Sequence, residues 1–292
     1  MRLLLFAQNG RSGYTCSKPM DKKDLTEQEI RTRYITPAIL DAGWPVNQMR
    51  EEHYLTAGQI HPQGKTASRG KRKFADYVLY HHNHPLAVVE AKDNNHSVGS
   101  GMQQALEYAA MWDIPFVYSS NGDGFWEHDR LATAPLGEHA VIERVLPMDD
   151  FPSPDELWER YVGHKKMPPS VQSALGQPYY FEIGKTPRYY QEVAVNRAVE
   201  AITGGQDRVL LVMATGTGKT FVAFQTIWRL WKAGVKKRIL FLADRNVLIS
   251  QAKTNDFKPF GGVMTQIKKR QIDKSYEVYL ALYQGLSGSE EW

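Results

Sequence analysis

The stretch DYVLYHHNHPLAVVEAKDNNH, residues 76–96, decides how the first half of the chain folds. Two apolar runs of strand length flank a polar His-Asn-His-Pro group, so the segment reads as a β-hairpin folded about Asn83-His84. Asp76 and Glu90 each lie about seven positions from that turn, and pairing of the two strands brings them side by side. Side chains alternate along a strand, so Glu90 and Lys92 share one face while Ala91 points the other way. A strand buried along most of its length thus ends by presenting a carboxylate and an ammonium together.

The elements around the hairpin follow from the same patterning. From Thr26 to about Leu40 the spacing of Ile30, Tyr34 and Leu40 predicts a helix, opened by a Thr26/Glu29 capping box and ended by Gly43 and Pro45. After the hairpin, SVGSGMQQALEYAAMWD predicts a helix with Met102, Leu106 and Ala109 on one stripe, IPFVYSSNG a strand, and GFWEHD another. This is an α/β arrangement around a central mixed sheet, occupying residues 20–146. Six prolines fall between 147 and 185, a span read as an interdomain linker holding one short helix in FPSPDELWERY. A second α/β unit, 186–292, alternates helix 188–203, strand 208–213, helix 219–233, strand 238–243, helix 246–254 and strand 276–282, the order of a parallel sheet.

The bulk composition is consistent with two such units. A chain of 292 residues is long enough for two cores, and 42% apolar with 11% aromatic residues is globular rather than disordered. No run of about eighteen apolar residues exists, so no transmembrane helix is expected. The single cysteine, Cys16, excludes an intrachain disulfide framework and a Cys-rich zinc site, and fits a cytoplasmic protein. The net charge of +4 is mild but clustered. Lys65, Arg69, Lys71, Arg72 and Lys73 form one basic group and Lys232, Lys236, Lys237 and Arg238 another; each is a solvated loop or a phosphate contact. Residues 1–19 carry an apolar run shorter than the roughly 7–15 residues of a signal peptide core. They are read as a non-native or disordered extension, with Met20 the natural start, which intact-mass analysis of natively expressed protein would check.

Mg²⁺ is held by one or two carboxylates, with water and substrate oxygens completing its shell. Asp76 and Glu90 are suited to that role, with Lys92 beside them to orient a nucleophile or stabilise a pentavalent phosphorane-like transition state. Gln104 and Tyr108, four apart on the next helix, share a face and supply a supporting shell. Taken alone, an Asp…Glu-X-Lys pattern also describes a solvated strand end. His81, His82 and His84 offer metal-type ligands, but at the opposite end of the hairpin from Asp76 and Glu90.

Asp76, Glu90-Ala91-Lys92 and Gln104-Ala105-Leu106-Glu107-Tyr108 together resemble the PD-(D/E)XK nuclease core of the restriction (R) subunit of type I restriction-modification enzymes. The segment EQEIRTRYITPAILDAGW is similar to that family's first helix, in which an acid near the start joins the metal site; the resemblance implies Glu27, with Glu29 as second choice.

RVLLVMATGTGKTFVAF is an apolar strand, a Gly-rich turn and a helix start, the pattern of a phosphate-binding loop. Backbone N–H groups over Thr215, Gly216, Thr217 and Gly218 would cradle phosphates, Lys219 would reach the β/γ-phosphates of ATP and Thr220 would hold Mg²⁺. Met213 stands where the general motif has its first glycine; MATGTGKT is typical of superfamily 2 helicases. TPRYYQ, about two dozen residues earlier, resembles the Q motif, in which Gln191 would read the adenine edge with Arg188 or Tyr190 packed nearby. ILFLADRNVLISQ resembles motif Ia, carrying Asp244, Arg245 and Gln251. From the residues themselves, Arg245 is a phosphate contact and Asp244 equally a helix cap. YEVYLALYQGL resembles the family's next strand; no Asp-Glu Walker B sequence follows, and little ATP hydrolysis is expected from this chain alone.

The resemblance covers nearly all of residues 20–292. It implies the first part of a DNA-cleaving, ATP-driven DNA-translocating subunit, a PD-(D/E)XK domain followed by a partial RecA-like lobe. Double-stranded DNA and methyltransferase (M) and specificity (S) subunits are its implied partners. A different nuclease–helicase fusion or an inert fragment of a broken gene are the alternatives.

Overall fold

The computed structural model describes residues 21–56, 60–63, 66–69, 73–132, 141–181, 187–268 and 271–286. Residues 1–19 with Cys16, Met20, and Lys65, Lys71 and Arg72 of the first basic group lie outside the described residues, as do the side chains of Arg69 and Lys73.

The N-terminal helix is built as the capping box requires: Glu29 N–H donates to Thr26 Oγ1 at 3.3 Å and Thr26 N–H donates to Glu29 Oε2 at 3.0 Å. It runs as α1 (Glu27–Ile30), a π turn (Arg31–Ile35) and α2 (Thr36–Asp41). Pro37 has no N–H to give the carbonyl four residues back, and the helix widens just ahead of it. Ile30, Ile35 and Ile39 are fully buried against the sheet.

That sheet contains β1 (Met49–Thr56), β4 (Lys73–His81), β5 (His84–Ala91), β6 (Phe116–Ser120), β7 (Gly124–Asp129) and β8 (Glu143–Pro147), in the order β1-β4-β5-β6-β7-β8. β2 (Ile60–Gln63) and β3 (Thr66–Arg69) form a separate antiparallel pair. Only β5 and β6 run parallel, joined across by α3 (Met102–Trp112); the other neighbours are antiparallel, so the sheet is mixed as expected. The hairpin turns at His82-Asn83, both with positive φ, one position earlier than the pattern suggested. Tyr77 pairs with Val89, which sets Asp76 across from Glu90. A register shift between Leu79 and Tyr80 absorbs the extra residue near the turn.

The span expected to be a linker is largely helical. α4 (Pro154–Lys165), capped by Ser153, and α5 (Pro169–Leu175) place Leu157, Trp158, Tyr161, Val171 and Leu175 in the core beneath the sheet. Pro154 and Pro169 stand at helix starts and Pro152 and Pro168 just ahead of them, where a missing N–H costs little. The same core takes in Val195 and Val199 of α6 (Tyr189–Thr203) and Val222 and Leu230 of α7 (Lys219–Lys232). Arg197 of α6 also pairs with Asp113 at 2.9 Å.

The second unit contains β9 (Ile239–Ala243), α8 (Asn246–Thr254), β10 (Met264–Gln266), β11 (Val278–Leu282) and the short α9 (Tyr283–Leu286). Its three-stranded sheet, β10-β11-β9, is parallel. The expected strand 208–213 carries no regular secondary structure and pairs with no strand among the described residues, and Leu210 and Val212 are 86% and 89% exposed. β propensity alone cannot make a strand without a neighbour to bond.

Candidate functional site

The end of the hairpin gathers the acids and lysine. Asp76 Oδ2 accepts the Ala91 N–H at 2.8 Å, locking the two strands at this point. Lys92 N–H donates to Ser120 O at 2.9 Å, and its Nζ donates to Glu90 Oε1 and Ala91 O, each at 2.9 Å. Glu90 is 2% exposed. Its other carboxylate oxygen, Oε2, is buried with no hydrogen-bond partner among the described residues.

The backbone around Glu90 is closely packed. A Cβ at Gly101, just ahead of α3, would lie 2.8 Å from Glu90 Cγ and 2.9 Å from Ser119 Oγ. Gly101 N–H donates to that same hydroxyl at 3.0 Å. On α3, Gln104 Nε2 donates to the Tyr108 hydroxyl at 2.8 Å, so the two expected supporting residues are bonded to each other. Tyr108 is 4% exposed, and burial followed by the charges of Glu90 and Asp76 raises its pKa.

Electrostatics follow from crowding buried acids. Burial, then repulsion from Asp76, pushes Glu90 up to about 7, against the opposing Lys92 hydrogen bond. Asp76 is raised by burial, with the Ala91 N–H and Arg31 pulling the other way. Glu27 is raised by burial and offset by Lys92, whose Nζ lies 3.8 Å away. Burial works against the charge of Lys92, but the Glu90 hydrogen bond and the surrounding acids outweigh it and raise its pKa.

These donors fit Mg²⁺. Asp76 and Glu90 offer hard carboxylate oxygens on neighbouring strands, and Glu90 Oε2, without a partner among the described residues, has an unmet need for a cation or proton. Two protein carboxylates suffice for Mg²⁺. Glu27 reaches Lys92, but among the described residues no three His, Cys, Asp or Glu side chains converge as a preformed metal cluster. Glu29 is spent on the capping box and on Arg33, at 3.1 Å.

The histidines are elsewhere. His81 Nε2 lies 3.1 Å from Asp155. His84 is stacked on Tyr161 with centroids 4.9 Å apart, and burial lowers its pKa to about 3, so it is neutral.

The Gly-rich turn leads into α7. Gly216 and Gly218 have φ of +77° and +88°, and a Cβ at Gly218 would overlap Gln191 Nε2. Thr215 is exposed, and Thr220 stands in the first turn of α7. Thr217 Oγ1 donates to Ala214 O at 2.6 Å, and Lys219 Nζ folds back toward Ala214 O at 3.2 Å. Such an open cradle at a helix N-terminus fits phosphate oxygens. Gln191 uses both ends of its amide within the protein: Nε2 donates to Thr217 O at 2.8 Å and Oε1 accepts the Arg188 N–H at 2.9 Å. Arg188 Nη1 donates to the Tyr190 hydroxyl at 3.0 Å. Gln191 and Tyr190 thus brace the loop through Thr217 O. Arg245 is the α8 N-cap and makes no side-chain cap bond; Asp244 lies 3.6 Å from it and does not cap the helix.

Sequence reasoning passed over two residues that this geometry makes prominent. Gly101 gave no signal, because only the fold reveals what its missing Cβ would strike. Arg31 is 5% exposed and 3.4 Å from Asp76. It stands four residues after Glu27, a helical spacing that was available.

The geometry defines a class: a mixed α/β protein that joins a carboxylate–lysine cluster to a Gly-rich phosphate loop. Residues 184–291 match the family "Type III restriction enzyme, res subunit", and residues 62–114 match "Type I restriction enzyme EcoKI endonuclease subunit second domain". The chain is 52% identical over 275 residues to the type I restriction enzyme EcoAI endonuclease subunit of Escherichia coli, covering 93% of this chain and 34% of that protein. It is 33% identical over 289 residues to the EcoKI endonuclease subunit of Escherichia coli strain K12, covering 79% of this chain and 24% of that one. A solved fragment of an HsdR subunit of a type I restriction enzyme from Vibrio vulnificus YJ016 superposes with a TM-score of 0.72 at 39% identity, covering 90% of this chain and 48% of that one. The chain is therefore homologous to type I restriction endonuclease (R, or HsdR) subunits, and spans about a third of the length of the curated relative it matches at 52% identity.

Proposed function

We propose that this chain forms part of the DNA-cleaving, ATP-dependent translocating subunit of a type I restriction-modification system. In that assignment the first unit, from about residue 20 to 146, is a PD-(D/E)XK nuclease. Residues 186–292 belong to a RecA-like motor lobe, and the helices between pack into the core beneath the first sheet. The observation that carries it is the Asp76–Glu90–Lys92 cluster with the unpartnered, buried Glu90 Oε2. Homology to R subunits supports double-stranded DNA as substrate, methyltransferase and specificity subunits as partners, and a cytoplasmic setting.

Asp76 and Glu90 would hold Mg²⁺, which when bound neutralises phosphate charge and lowers the pKa of its water. Lys92, released from Glu90, orients the attacking water or stabilises charge building on the phosphate. Tyr108, bonded to Gln104, stands near enough to feel the charges of the two acids. At the phosphate loop, Lys219 and the amides from Thr215 to Gly218 would bind ATP phosphates, and Thr220 the accompanying Mg²⁺. Gln191 keeps that loop in its binding shape by holding Thr217 O.

The test is Mg²⁺-dependent nicking of supercoiled plasmid by the chain, compared with Lys92→Ala and with chelator added. Nicking that requires metal and disappears in the variant is expected. Metal-dependent nicking that survives Lys92→Ala would defeat the assignment of this site.

A further inference from the structure

Arg31 opens the π turn, with its guanidinium almost wholly enclosed. Nη1 lies 3.4 Å from Asp76 Oδ1 and 3.3 Å from Glu52; Nη2 lies 3.5 Å from Glu51. Gln28 Oε1 accepts from Nη1 at 3.3 Å, and the guanidinium carbon sits 5.1 Å from the Tyr77 ring centroid. Tyr77 is itself held by Thr36 at 2.8 Å, one turn along the same helix. The guanidinium is thus enclosed and faces three acids, Asp76, Glu52 and Glu51.

Asp76 is gripped from two sides. Its Oδ2 takes the Ala91 N–H and its Oδ1 faces Arg31, so each carboxylate oxygen has a neighbour at the strand end. The helix that delivers Arg31 also delivers Glu27, four residues earlier, to Lys92 on the other flank of the cluster. One helical face therefore sets an acid against the lysine and a base against the aspartate.

We propose that Arg31 is a positioning residue for Asp76, holding that carboxylate in the orientation a divalent cation requires. The inference rests on the nuclease-site assignment above. Groups that orient metal ligands from behind typically change metal affinity by about 10- to 100-fold when removed. The sign is diagnostic. If Arg31 acted only as a nearby positive charge, its loss would make the acid cluster more attractive to a cation and tighten binding. Positioning predicts the reverse.

The experiment is Mn²⁺ binding, measured by titration calorimetry and by the electron paramagnetic resonance signal of free Mn²⁺, with no DNA present. Arg31→Met, which keeps the length and apolar stem, is expected to weaken Mn²⁺ binding by about 10-fold or more. Arg31→Lys, which keeps one charge, should recover part of that loss and separates the effect from misfolding, which circular dichroism checks in both variants. In an Asp76→Asn background, Arg31→Met should change Mn²⁺ affinity no further. Tighter or unchanged binding in folded Arg31→Met, or an equal loss in the Asp76→Asn background, would overturn the proposal. If Asp76→Asn and Glu90→Gln both bind Mn²⁺ like the unaltered chain, the nuclease-site assignment fails instead.

Discussion

Replacing Gly101 with alanine is a direct probe of how rigidly Glu90 is held. The new Cβ would lie 2.8 Å from Glu90 Cγ, 3.2 Å from Glu90 Cβ and 2.9 Å from Ser119 Oγ. Carbon atoms in ordinary contact stand about 3.5–4.0 Å apart, so Glu90 or the start of α3 must yield by roughly 0.7 Å. Neither yields easily. Gly101 is tied to Ser119 by its N–H, and the struck atoms are the base of the Glu90 side chain rather than its free end. Overpacking of this kind costs about 1–3 kcal/mol. At roughly 2–4 °C per kcal/mol for larger domains, the melting temperature should fall by about 2–12 °C. A displaced ligand should also lose metal affinity, by about 10-fold or more. Gly163, inside α4, is the control: nothing lies within 4 Å of a Cβ there. Gly163→Ala should raise stability by about 0.5–1 kcal/mol through helix propensity. Thermal melts and Mn²⁺ titrations of both variants decide the matter. Gly101→Ala with unchanged melting temperature and unchanged Mn²⁺ affinity would refute the claim that α3 fixes Glu90.

Two further outcomes are expected. Because the folded chain raises Glu90 to about 7 from the usual 4.5, it binds that proton more tightly than the unfolded chain. Its contribution is full below about pH 4.5 and lost as pH rises through about 7, at most ~3 kcal/mol across that window. Denaturant melts with chelator present should show this slope, and Glu90→Gln should flatten it; identical slopes would contradict the burial argument. At residues 209–212, which have no strand partner among the described residues, amide hydrogens should exchange orders of magnitude faster than those of Val278–Leu282. Equal protection in the isolated chain would show pairing that the fold does not contain.

Much of this was legible beforehand, because the cues were local. The capping box at Thr26, the hairpin with its carboxylates brought together, and the Gly-rich turn leading into α7 all rest on contacts between residues close in sequence. The misread features depend on distant partners. The proline-rich span looked like a linker because proline discourages regular structure, yet Pro154 and Pro169 stand in first turns and their helices gain stability by burying Leu157, Val171 and Leu175. The apolar run 208–213 looked like a strand from composition, but pairing is a property of neighbours. The parts of Arg31 and Gly101 in the site rest on distances to Asp76 and Glu90 that no single-sequence pattern encodes.

The most direct test of the proposed metal-dependent nuclease site is anomalous diffraction from a crystal of the chain soaked in Mn²⁺. A peak is expected at about 2.0–2.4 Å from both an Asp76 carboxylate oxygen and Glu90 Oε2, and it should vanish in Glu90→Gln. Mn²⁺ density that avoids these two side chains at saturating metal, or that persists unchanged in Glu90→Gln, would contradict it.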